Sequence, residues 1–186
     1  MRHPFRLAGL GAFLNALLTL PVFYMSLRLE EGSEDPTSLA IQISLQWLSI
    51  FVSSLVTYAL IQYFRTCHAT SRFDDILGSM IFFSVIVGGI YTAARIAPRL
   101  TEQLNILLLA TAILQGILLV RFGWMLVSSS VMFGRYISGY GWLSLVTGVC
   151  LLSIVLLPVA LVTGAISDLL LGTIFMNTDG RRATFR

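Results

Sequence analysis

Residues 142–176 read WLSLVTGVCLLSIVLLPVALVTGAISDLLLGTIFM and carry one charge, that of Asp168. A single α-helix of this length would be ~52 Å long, whereas the hydrocarbon core of a bilayer is ~30 Å thick. The segment is therefore either one long helix, tilted and kinked at Pro158, or a hairpin of two short spans, residues 142–157 and 159–176. Both alternatives place it in lipid, and the number of membrane crossings depends on the choice between them.

Four more segments are as apolar as this one: residues 7–27, 39–64, 76–94 and 104–120 contain no charged residue. Each is close to the ~20 residues that a helix needs to cross a bilayer, and lipid requires backbone groups to bond within the segment, as helices do. Charged residues make up only 11% of the chain, against ~25% in an average soluble domain, and the mean hydropathy is +0.86. We therefore predict an all-α fold, a polytopic integral membrane helical bundle. It forms a single transmembrane domain over residues 1–186, with five to six transmembrane helices and short loops.

The arginines bear on the orientation of the bundle. All twelve basic residues are Arg, and Arg2 and Arg6 favour a cytoplasmic N-terminus by the positive-inside rule. Five crossings divide the arginines six to six, whereas six crossings bring the three in the C-terminal tail inside and divide them nine to three. The rule favours an even number, although a turn near Pro158 would be very apolar and would have to be buried in protein. We expect a bacterial cytoplasmic membrane with the N-terminus inside, or alternatively an organelle membrane such as the mitochondrial inner membrane.

Polar residues in the second apolar segment recur at helical spacing and share one helix face. They are Gln42, Gln46, Ser49, Ser53 and Thr57. The opposite face carries Leu48, Phe51, Val52 and Leu55. Since polar side chains in lipid would lack partners, this polar stripe should face the bundle interior or a partner protein. It serves either as interhelical hydrogen-bonding groups or as the lining of a path for a solute or water.

Small residues spaced by four occur in three places and predict close helix packing. They are Ala8, Ala12 and Ala16; Ser84, Gly88 and Thr92; and Ala160 and Gly164. Their spacing does not distinguish packing within one chain from packing between chains.

Two ionisable residues, Arg121 and Asp168, lie closest to the apolar segments. Because a charge in the membrane core is costly, such residues suggest a functional pair, here a buried ion pair that responds to protons or ions. The alternative is positional. Arg121 ends the fourth segment and can extend to the headgroups, and Asp168 can lie near the end of a span or on a buried re-entrant segment.

The sequence offers little for catalysis or for cofactors. Its two histidines, His3 and His68, lie in polar segments, so axial haem ligands are missing from the predicted helices. It has no clustered Cys and His for zinc and no GxSxG motif, and its arginines stand in ones and twos rather than on a nucleic-acid-binding face. We predict no catalytic residues, no metal, no cofactor and no nucleic-acid partner, and we do not expect an enzyme.

In size, in number of apolar segments and in its first-segment alanines Ala8, Ala12 and Ala16, the chain resembles the substrate-binding subunits of energy-coupling-factor transporters. The resemblance implies six helices and a bound solute. Our leading hypothesis from the residues is a non-catalytic membrane subunit that assembles with other integral membrane proteins in the lipid bilayer. The alternative is a small-solute transporter, or a substrate-binding membrane subunit, whose polar path is lined by the second helix.

Overall fold

The computed structural model describes residues 4–30, 36–129, 135–153 and 156–184. These residues form six α-helices and a short 3₁₀ turn, without a strand, so the predicted all-α bundle is confirmed. The helices are α1 (Pro4–Glu30), α2 (Pro36–Cys67), α3 (Asp74–Ile96), α4 (Thr101–Ser128), α5 (Arg135–Leu152) and α6 (Leu157–Thr184), with the 3₁₀ turn at Pro98–Leu100 between α3 and α4.

The segment 142–176 forms a hairpin, which is one of the two alternatives left open by its length. Helix α5 ends at Leu152 and α6 begins at Leu157. Pro158 therefore lies in the first turn of α6, where its missing N–H removes no helical hydrogen bond. The end of α4 and the beginning of α5 lie on either side of residues 130–134, which are outside the described residues.

Each helix packs antiparallel against the next one in sequence, and α1 packs against α6, so the six helices form a closed ring. In the described residues, no Cα atoms of any other helix pair approach within 8 Å of each other. Helices in direct contact have axes ~8–10 Å apart. Helices that are not neighbours in the ring therefore make no backbone contact in the described residues, and each helix has an inward and an outward face.

Glycines allow the closest helix contacts in the ring. Gly116 and Gly123 of α4 lie opposite Gly148 and Gly141 of α5, so a Cβ atom on Gly123 would be 2.6 Å from the carbonyl oxygen of Gly141. Small residues at helix interfaces permit such backbone contact in membranes. A similar contact joins α1 to α6, where a Cβ on Gly9 would lie 3.1 Å from the carbonyl oxygen of Gly172.

The outward faces are apolar. Helices α2, α3, α4 and the Pro158–Asn177 part of α6 are long and apolar enough to cross a membrane, and Phe5–Pro21 of α1 forms a shorter apolar helix. On α2, Leu48, Phe51 and Leu55 are exposed, as predicted for its lipid face. Val52 is buried instead, because it faces α1 at Gly11. The chain is a membrane protein whose helices contact the lipid bilayer.

Candidate functional site

Three polar side chains from three helices form a hydrogen-bonded network inside the ring. Nδ2 of Asn15 on α1 donates to Oδ2 of Asp168 on α6 at 2.7 Å. The hydroxyl of Ser49 on α2 donates to Oδ1 of the same asparagine at 3.1 Å. Both ends of the Asn15 amide are therefore used, which fixes its orientation and directs its N–H towards the carboxylate.

Asp168 lies at the centre of its span rather than near an end. It is ten residues from Pro158 and nine from Asn177, which bound the part of α6 that is long and apolar enough to span a membrane. Ten residues of helix are ~15 Å long. If this part of α6 spans the bilayer, the headgroup layers at its two ends are too far away to solvate the carboxylate. An ionisable group at mid-membrane is a candidate functional group by default.

Helix α5 brings the phenol of Tyr140 within electrostatic range of the carboxylate. Ser144, one turn further along, is buried and donates to the backbone oxygen of Tyr140 at 2.9 Å. We define the inner polar site as Asn15, Ser49, Tyr140 and Asp168.

The structure does not bring Arg121 and Asp168 together, which corrects the predicted ion pair. Arg121 is exposed on α4, which packs against α3 and α5 but not against α6. The exposed guanidinium of Arg121 therefore does not extend into the ring towards α6. The partner of Asp168 is the neutral amide of Asn15 instead.

The polar stripe of α2 makes its bonds within the chain. Nε2 of Gln42 donates to the hydroxyl of Tyr91 on α3, and Ser49 belongs to the inner polar site. Thr57 donates to the backbone oxygen of Ser53 at 2.9 Å, and Gln46 and Ser53 are half-buried. None of the five is exposed.

Gln42 lies near the end of the ring where α2 begins. Its side chain is only 2% exposed, yet its Oε1 has no hydrogen-bond partner among the described residues. Tyr91, which accepts its N–H, lies under the guanidinium of Arg95, whose Cζ is 5.3 Å from the ring centroid. The Gln42 carbonyl oxygen, the Tyr91 phenol and the Arg95 guanidinium therefore lie close together at this end of the α2–α3 interface.

The predicted small-residue stripes also pack within the chain. Ala12, Ala16 and Ala160 are buried, while Ala8 is half-buried against the core. Gly88 faces Ile50 of α2, and Gly164 faces Thr147 of α5. The hydroxyls of Ser84 and Thr92 accept hydrogen bonds from Gln115 and Trp47 at 3.4 and 3.0 Å, respectively.

Aromatic side chains from around the helix bundle form a continuous layer at one end of it. Neighbouring ring centroids are 4.5–6.0 Å apart. We call it the aromatic layer; its members are Phe5, Tyr63, Phe64, Phe73, Phe122, Tyr140 and Phe175. These residues come from the start of α1, α3 and α5 and from the later part of α2, α4 and α6. Because neighbouring helices are antiparallel, all of them lie towards the same end.

His68 lies beside this layer, outside the membrane-spanning helices. Its ring centroid is 5.4 Å from that of Tyr63. Burial lowers the pKa of His68 below its ordinary value, because an imidazolium there would lose solvation. The neutral imidazole is therefore favoured in this loop.

Sequence reasoning missed Asn15, Tyr140 and the aromatic layer. A single Asn in an apolar helix has no periodicity, and the one signal available was its presence as a polar side chain inside a predicted span. The aromatic residues are spread over six helices, so their meeting depends on the order and direction of the helices. Among the described residues, no three His, Cys, Asp or Glu side chains are grouped closely enough to hold a metal ion.

No known protein family, curated protein or solved structure matches this chain.

Proposed function

We propose that this chain is a small-solute transporter, in which the helix ring encloses the binding site and the path across the bilayer. The observation that carries the proposal is the hydrogen-bonded network of Ser49, Asn15 and Asp168 at mid-membrane. A carboxylate there is costly, and two neutral hydrogen-bonding residues from other helices orient it. Such an arrangement suits a site that is emptied and refilled during transport.

The inward direction of the polar residues favours transport over assembly. The sequence suggested a non-catalytic accessory subunit of a membrane complex because polar and small residues form stripes that partner helices could cover. In the structure these stripes bond and pack within the chain, at Ser49 and Gly88 for example. The outward faces are apolar, and contact with lipid is enough to explain them. Assembly with other integral membrane proteins is therefore the weaker proposal.

The path has two unlike ends. The aromatic layer closes the end at which α1 begins, whereas polar side chains such as Gln42 and Gln115 occupy the other half of the ring. The solute reaches the inner polar site from this polar end, and the aromatic rings must separate before it can leave at the opposite end.

All six helices cross the bilayer in this proposal, and both termini lie in the cytoplasm of a bacterium. The alternation of helix direction brings the two ends of the chain to one side. The nine-to-three division of the arginines orients that side inward. Of the arginines counted, Arg2 and Arg186 lie outside the described residues.

Cysteine accessibility tests whether the interior holds water. In a Cys67→Ser, Cys150→Ala background reconstituted in liposomes, Ser49→Cys reports on the ring interior and Phe51→Cys on the lipid face, where the native side chain is 61% exposed. Water-soluble methanethiosulfonates react with thiolates, which form only where water reaches the sulfur. The mass of the intact protein then shows which position is modified.

The proposal requires modification of Ser49→Cys and none of Phe51→Cys. Gln46→Cys, one turn away on the same stripe, provides a second interior position in case the first variant folds poorly. A ring in which neither interior cysteine reacts is dry, and that result would overturn the transport proposal.

A further inference from the structure

We propose that the solute is a monovalent cation bound at the carboxylate of Asp168, an inference that rests on the proposed transport function. Three features of the site support this proposal: its charge, its ligand atoms and its surroundings. Each can be assessed from the three helices that meet at the inner polar site.

When Asp168 is ionised, its charge is not balanced by a basic side chain in the described part of the protein. Helix α6 packs against α1 and α5, whose basic residues are Arg6, Arg28 and Arg135. Arg6 and Arg135 are exposed near helix ends, and Arg28 lies 13 residues beyond Asn15 on α1, which is ~20 Å of helix. Among the described residues of these two helices, Tyr140 lies within electrostatic range of Asp168, and a phenol supplies no positive charge. An ionised carboxylate at mid-membrane needs a counter-charge, and one carboxylate calls for one positive charge.

The ligand atoms available are oxygens. Only Oδ2 of Asp168 accepts a hydrogen bond from a described residue, and the side chain is half-buried, so Oδ1 remains for a ligand. The Asn15 carbonyl oxygen and the Ser49 hydroxyl oxygen belong to the same hydrogen-bonded network, beyond the Asn15 amide nitrogen that contacts the carboxylate. Oxygen ligands of this kind suit hard cations, but calcium sites combine six to eight oxygens from several groups. A single carboxylate therefore favours a monovalent ion over a divalent one.

Asn15 acts as the positioning residue of this site. Because Ser49 occupies its Oδ1, its Nδ2 is held towards Asp168 and orients the carboxylate without neutralising it. An arginine or lysine in the same place would neutralise the carboxylate permanently and exclude a cation. The neutral amide leaves the negative charge available to the solute.

The charge preference of Ser49→Cys tests this inference directly. In the same cysteine background, its rate of modification is measured with 2-aminoethyl methanethiosulfonate, a cation, and with 2-sulfonatoethyl methanethiosulfonate, an anion. Each rate is divided by the rate of the same reagent with a free thiol in solution. We expect the cationic reagent to be favoured at least tenfold, and we expect Asp168→Asn to bring the ratio close to one.

Asp75→Asn is the matched control, because Asp75 is exposed at the start of α3 and should leave the ratio unchanged. Equal rates for the two reagents, or a preference that survives Asp168→Asn, would overturn the cation inference while leaving an accessible interior and hence the transport proposal intact. Failure of both reagents at Ser49→Cys and at Gln46→Cys would overturn both proposals.

Transport currents identify the kind of cation. Proteoliposomes on a solid-supported membrane receive concentration jumps of sodium, potassium or tetramethylammonium chloride, with N-methylglucamine chloride keeping the ionic strength constant. A current with sodium or potassium assigns an alkali ion, and a current with tetramethylammonium assigns an organic ammonium ion. In both cases Asp168→Asn should reduce it at least tenfold, and the absence of current with all three salts would overturn the inference.

Discussion

Asn15 and Asp168 are 153 positions apart in the sequence, and a 2.7 Å hydrogen bond joins their side chains. This bond lies where α1 meets α6, the contact that closes the ring. The same interface contains the close backbone contact of Gly9 with Gly172. The ring is therefore closed by a small-residue contact and by a polar bond, and the polar bond orients a carboxylate halfway along the apolar part of α6.

Replacement of Asn15 by leucine should destabilise the protein. The substitution leaves Asp168 and Ser49 without their shared partner, and a buried polar group that loses its partner costs ~1–3 kcal/mol. The free energy of unfolding in mixed detergent micelles measures the loss.

The double variant Asn15→Leu, Asp168→Leu should recover most of this stability, because apolar side chains of similar volume can replace a buried polar pair at little cost. The same double variant should lose every transport current. Stability in the single variant equal to that of the natural sequence would show that the Asn15–Asp168 bond contributes nothing to folding.

Phe64→Ala should weaken the aromatic layer and open the end of the ring that it closes. The Phe64 side chain is 0% exposed and contacts Tyr63 and Phe73, and truncation of a buried Phe typically costs ~3–5 kcal/mol. A lower unfolding temperature and faster thiol modification of Ser49→Cys are expected together.

Phe82→Ala provides the comparison for Phe64→Ala, since Phe82 is 62% exposed on the outward face of α3. It should change neither quantity appreciably. A thermal loss as large as that of Phe64→Ala would show that burial in the aromatic layer does not set the cost.

The helices could be predicted from the apolar segments and from the helical spacing of their polar residues, because each residue of a membrane span must suit either lipid or the bundle interior. The turn between α5 and α6 was harder to locate, because it lies in a stretch as apolar as the helices. Pro158 does not mark the turn itself, since it lies in the first turn of α6. The partner of Asp168 could not be predicted, because it depends on which helices are neighbours and on how each is rotated. The same reason explains the incorrect pairing with Arg121, whose helix does not contact α6.

Acid should destabilise the folded protein through His68. Burial lowers the pKa of His68 in the folded state, so the unfolded chain binds more protons as the pH falls through its ordinary value of ~6.5. The stability that a neutral His68 confers is therefore present above that pH and decreases below it.

Unfolding temperatures at pH 7.5 and pH 5.5 measure the effect in the natural sequence and in His68→Gln. We expect the fall between the two pH values to be smaller in the variant, because glutamine does not titrate and the other groups are the same. An equal fall in both proteins would assign the acid sensitivity to other residues.

Gly123→Ala should destabilise the ring, whereas Gly89→Ala should not. A Cβ on Gly123 would lie 2.6 Å from the Gly141 oxygen and 2.7 Å from the Leu145 nitrogen, both backbone atoms that cannot move aside, and overpacking of this kind costs ~1–3 kcal/mol. A Cβ on Gly89 would meet nothing within 4 Å, so alanine there gains up to ~1 kcal/mol from its helix propensity. Unfolding measured side by side should shift in opposite directions, and a Gly123→Ala protein as stable as the natural one would mean that α4 and α5 are not in backbone contact.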